Sequence, residues 1–220
     1  MFFDDPASEP LMLYDLASLA ADEPEPLPNK RRWDQFRMDL SSGLAEAWAF
    51  MKRFCSTINS AAEHKRRLPK ETLLNAMASV MYRLLHMSFE NTSVDEGIRL
   101  GLLIFSAHIF LNFRGIRQPH KYLPDTYKNC LMHLELPGTL PPQILPWLLV
   151  IGSLSTFTSA DDVWLIPWMR VNITLCETRN WSELRGLLKT CPWIDTLHDQ
   201  PGQEIFDKAI LSQTDNISAG

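Results

Sequence analysis

Residues 180–210 read NWSELRGLLKTCPWIDTLHDQPGQEIFDKAI and pack two tryptophans, a Cys-Pro pair, a His-Asp pair and a Pro-Gly turn into one short segment. Leu184, Leu187 and Leu188 recur at helical spacing behind Asn180 or Ser182 as N-cap, and Pro192 ends that helix. A second helix is expected from Pro201, capped by Asp199 or Gln200, with Phe206 closing its last turn. Between the two, Trp193 and Ile194 tuck into a groove. Indole and phenyl rings bury large areas, so the segment reads as the terminal lock of a helical domain.

The same period runs upstream. Residues 34–63 set Phe36, Leu40, Leu44, Trp48, Met51, Phe54, Cys55 and Ile58 three and four apart, one face of a long amphipathic helix closed by the basic run 64–67. Pro69 opens a second helix through Phe89, and Ser93 caps a third that is apolar on nearly all sides and must sit centrally. Another starts near Pro124 and stops at Pro137-Gly138. A buried segment follows Pro141-Pro142, with a bend expected at Pro146. Ser159 is expected to cap the next helix, with Asp161 and Asp162 behind it. Trp164, Trp168, Val171 and Leu175 lie on one stripe of that helix, among the apolar faces that glue the helices together. No hairpin turn flanked by alternating strands and no fixed-period repeat is present. The fold class is therefore all-α, a multi-helix array of antiparallel and orthogonal helix pairs.

Residues 1–29 carry seven acids and no Lys or Arg, and Pro24, Pro26 and Pro28 forbid a continuous helix there. This is expected to be a disordered acidic tail, with a helical domain over 30–212 and a disordered C-terminus over 213–220. Within the tail, Leu13, Tyr14 and Leu16 among acids have the composition of an activation segment, and they are the candidate partner contacts.

Composition excludes several functions. Residues 30–220 hold 19 acids against 21 bases, and the whole chain is at −5, which lacks the basic stripe of a nucleic-acid reader and argues against direct DNA binding. The acidic, proline-bearing N-terminus does not suit a signal peptide, and the apolar run between Arg99 and Arg114 is too short for the roughly 20 residues a membrane span needs. Cys55, Cys130, Cys176 and Cys191 are dispersed, with no C-x-x-C pair, so neither a disulfide framework nor a metal site is expected. His86 and His108 lie in apolar helices as core histidines. His198-Asp199 is the pair that helical phosphohydrolases use for a metal, but no further ligands stand at a recognisable spacing. Asp161-Asp162 lacks the third carboxylate of a magnesium motif, since Leu165 stands in its place. There is no phosphate loop and no nucleophile elbow, and Cys191 has no His-Asn partner set.

The pattern W-x-x-L-x-x-L-L-x-x-x-P-W-I-D-x-x-x-D-x-P-G over 181–202, preceded by DEGIRLGLLIFSAHIFLNF, LPWLLVIGSLSTF and VWLIPWMRVNITL, resembles the fungal-specific transcription factor domain over roughly residues 70–210. That domain is the helical regulatory region following a zinc-cluster DNA-binding module. The resemblance implies an all-helical, nuclear, non-enzymatic regulator acting on protein partners of the transcription machinery, as a homodimer, or through a small-molecule effector. It implies no cofactor. This chain departs from the family in lacking the six clustered cysteines of the DNA reader. The alternative class is a small all-helical enzyme, a metal-dependent phosphohydrolase or a cyclase-like protein.

Overall fold

A computed structural model describes residues 30–114, 122–138 and 140–211. Among the described residues the chain forms nine α-helices and a short 3₁₀ turn, with no strand, so the fold is all-α. Within the helical domain expected over 30–212, these residues pack as two compact units divided between Leu140 and Pro141. The stretches 1–29 and 213–220 lie outside the described residues.

The first unit holds α1 (Lys30–Asp39), α2 (Ser42–Glu63), α3 (Lys70–His86), α4 (Val94–Arg114) and α5 (Tyr122–Met132). The single helix expected over 34–63 is two. Ser41 is extended rather than helical, and its N–H leaves the helix ladder to donate to the Asp95 carboxylate at 3.1 Å. In one continuous helix Trp33 and Trp48 would stand about 22 Å apart. The break folds α1 back so that their rings lie 6.3 Å apart, with Phe36 edge-on to both. Burying those three rings together offsets the interrupted backbone ladder.

As expected, α4 is central to its unit. It packs on α2, α3 and α5, and every residue from Leu100 to Ser106 is buried, which explains why it is apolar on nearly all sides. Ser93 caps it, its Oγ accepting the Glu96 N–H at 3.2 Å. α2 ends in a turn in which Lys65 takes a left-handed conformation (φ 52°) and the Arg66 N–H donates to the Ala61 carbonyl at 2.8 Å.

The second unit holds α6 (Ile144–Ser155), α7 (Asp162–Leu175), α8 (Trp181–Leu188) and α9 (Asp195–Leu211), with the 3₁₀ turn Ser159–Asp161 before α7. α6 contacts the other three, and Ile144 through Gly152 are all buried. No bend is needed at Pro146. It is the third residue of α6, where an N–H has no helical partner to lose.

Three other expectations change here. The helix expected from Pro201 starts at Asp195, so Pro201 is internal and Asp199 is no cap. The start is fixed at Ile194, whose carbonyl accepts the N–H groups of Leu197 and His198 and whose own N–H donates to His198 Nδ1 at 2.9 Å. Pro201-Gly202 is not a turn: a Cβ on Gly202 would come within 2.8 Å of the Trp181 ring and 3.1 Å of the Trp193 ring, so glycine lets both indoles close on α9. Thr158, rather than Ser159, precedes the turn into α7, and Asp161 accepts its N–H at 2.9 Å.

Candidate interaction surface

The residues that suggested chemistry are engaged structurally. His198 is fully buried. Its Nδ1 accepts the Ile194 N–H, which places the ring proton on Nε2, and the ring lies 5.0 Å from Trp193, tilted by 48°. Its neighbour Asp199 accepts from Arg185 at 2.6 Å and from Trp193 Nε1 at 2.9 Å. Partial burial disfavours the Asp199 charge, but these two bonds, with the positive charges of Arg185 and Lys189, outweigh it and hold the carboxyl below its ordinary value. Asp195 joins the network through Arg185 at 3.2 Å and Lys189 at 2.9 Å. Together they tie α8 to the first two turns of α9.

Asp161 and Asp162 divide in the same way. The first accepts from Thr158 and from Trp164 Nε1 at 3.2 Å, and the second pairs with Lys208 of α9. His86 is exposed rather than a core histidine and bonds the Tyr82 carbonyl through Nδ1 at 2.7 Å, whereas burial lowers the pKa of His108. Burial pushes the Cys130 thiol up to about 11, with Glu96 adding to it and Arg99 opposing, and pushes Cys176 to about 11 as well. Both thiols therefore hold their protons near neutral pH, where the thiolate is the reactive form. Cys191 is buried. Among the described residues no three His, Cys, Asp or Glu side chains converge to hold a metal ion, and no helix is long and apolar enough to cross a membrane.

What the sequence reading missed is on α7. The stripe Trp164, Trp168, Val171 and Leu175 does not form the helix's packing face. That face is Leu165, Ile166, Met169 and Ile173, all buried. Val163, Val171 and Leu175 are 83%, 57% and 67% exposed, and Pro167 between them is exposed too. Residues 163, 167, 171 and 175 form one i, i+4 ridge about 18 Å long. Trp164 and Trp168 flank it half-buried, their rings 6.1 Å apart and perpendicular, with Phe157 edge-on to Trp164 at 5.1 Å. None of these residues carries a charge.

The signal was available in the sequence. A helix with apolar residues on both sides has more apolar surface than one packing face can use, and the outer stripe carries a proline and two β-branched valines with no charge among them. Leu13, Tyr14 and Leu16 lie outside the described residues. No family model, curated protein or solved structure matches the chain.

Proposed function

We propose that the chain is a non-enzymatic helical regulator of the fungal transcription factor kind, working in the nucleus through protein contacts and not by touching DNA itself. The observation that carries this reading is the uncharged, exposed ridge of α7 with its flanking tryptophans. Its occupant is an amphipathic helix of a partner protein, since a ridge at four-residue spacing fits the groove between the same rows of another helix. The ridge covers roughly 200 Å² in projection, taking helix length and width. That is well below the ~800 Å² per partner of a stable complex, so the contact is weak and exchangeable. Such a contact shifts the population of a regulatory state instead of building a permanent assembly. Leu13, Tyr14 and Leu16 are the second contact segment of the proposal.

The experiment fuses the chain to a heterologous DNA-binding module in front of a reporter. Val163→Glu with Val171→Glu should cut output toward that of the module alone, while leaving the thermal melt unchanged because both sites are exposed. Leu13, Tyr14 and Leu16 together to Ala should cut it separately. Unchanged output from both variants overturns the reading.

A further inference from the structure

At one corner of the first unit a cleft of about 150 Å³ opens between the C-terminal end of α1, the first turn of α4 and the segment that follows α5. Its walls are Phe36, Leu40, Val94, Pro137 and Leu140, and the polar side chains among its lining residues are Asp39 and Asp95. Each carboxylate has one oxygen engaged. Asp39 Oδ1 accepts from Gln35 Nε2 at 2.6 Å, and Asp95 Oδ2 accepts the Ser41 N–H at 3.1 Å. Among the described residues the lining holds no Lys, Arg or His to balance these two charges. α1 ends at Asp39, so its last carbonyls add partial negative charge at the same rim, whereas the positive end of α4 is already met by Asp95.

We propose that this cleft binds a small primary amine carried on an apolar body about the size of a benzene ring. An apolar cavity of roughly this volume accepts a benzene-sized molecule. The two carboxylates then select among such molecules: they attract an ammonium and repel a carboxylate or phosphate of the same size. The site is an effector site, and it goes beyond the protein contact assigned to α7.

The test is a ¹H–¹⁵N NMR titration of the full chain with benzylamine, with its neutral isostere benzyl alcohol, and with Nα-acetyl-lysine methylamide. For a ligand of this few atoms the expected Kd is on the order of 1 mM. Shifts should centre on residues 36–40, 94–95 and 137–140. Benzyl alcohol should bind more weakly by up to about fivefold, the upper end for an ion pair at a partly exposed site. Asp39→Asn with Asp95→Asn keeps an acceptor for Gln35 and for the Ser41 N–H, so the fold should persist while benzylamine falls to the level of the alcohol. Equal binding of amine and alcohol, or no shifts at the cleft, overturns the proposal. Tighter binding of the lysine derivative than of benzylamine overturns it too, because the cleft would then take a protein side chain. A failed titration leaves the α7 contact standing, and a failed reporter assay leaves the cleft standing.

Discussion

The two units place opposite charges in different settings. In the first, Glu96 and Arg99 form a two-pronged pair at 2.6 and 2.7 Å with side chains only 5% and 12% exposed, and Arg99 also reaches the Leu84 carbonyl at the end of α3. In the second, Arg185, Lys189, Asp195 and Asp199 form a network whose side chains are about a third exposed. Water screens the second set and not the first, so similar distances carry different free energies. If Glu96 is lost, Arg99 keeps the Leu84 carbonyl but loses the carboxylate that pairs its charge. The network can fall back on solvent.

The largest effect should therefore come from Glu96→Ala, which leaves a largely enclosed guanidinium without its carboxylate and is expected to destabilise the first unit by about 3 kcal/mol in urea unfolding followed by circular dichroism. A loss under 1 kcal/mol would mean that water reaches Arg99 and would dissolve the contrast.

Next comes the tie between α6 and the segment before α9, where buried Trp147 donates through Nε1 to the Pro192 carbonyl at 2.9 Å. Trp147→Phe removes ring area and leaves that carbonyl buried without its donor, at a cost of roughly 2–4 kcal/mol in the same assay.

A smaller effect belongs to the half-exposed network, and it has a sign in pH. The carboxyl of Asp199 lies below its ordinary value of 3.8 in the folded chain, so its contribution is complete above 3.8 and is lost as pH falls through the folded value. Asp199→Asn should cost no more than about 1 kcal/mol at pH 7, with the gap to the parent closing in acid. Raising NaCl to about 1 M should narrow the same gap and leave the Glu96→Ala deficit in place, because salt screens exposed charges over only a few ångströms. A gap that widens in acid would reverse the assigned direction.

Where these groups would go was legible to differing degrees. Helical spacing and punctuation were enough for the class of fold, the central position of α4, the Ser93 and Asn180 caps and the aromatic lock of Trp181, Trp193 and Phe206. They failed where a distant partner decides a local choice. The break at Ser41 depends on Asp95, 54 residues away, accepting its N–H. The early start of α9 depends on a histidine accepting a backbone N–H, which composition does not reveal, and Pro201-Gly202 reads as a turn until two indoles need the space of a missing Cβ. The orientation of α7 failed for a related reason. Periodicity marks two apolar stripes but not which one finds a neighbour, so the candidate contact surface was named as packing. The cleft was invisible because its carboxylates stand 56 residues apart in the chain.

The last prediction brings the comparison down to one atom in each unit. Trp147, Trp193 and Trp164 of the second unit each donate through Nε1 to an oxygen. Trp33 of the first unit is 2% exposed, and among the described residues its Nε1 meets no acceptor, so the contacts seen for this indole are ring packing on Phe36 and Trp48. An unpaired buried N–H carries a desolvation cost of about 1–3 kcal/mol that replacement by phenylalanine removes. That gain opposes the lost ring area, so Trp33→Phe should change stability by less than about 1 kcal/mol, against the roughly 2–4 expected at Trp147. Measured side by side by urea unfolding, equal costs at the two sites would show that ring volume alone sets the value of a tryptophan here; a gap in the expected direction would assign the difference to the hydrogen bond.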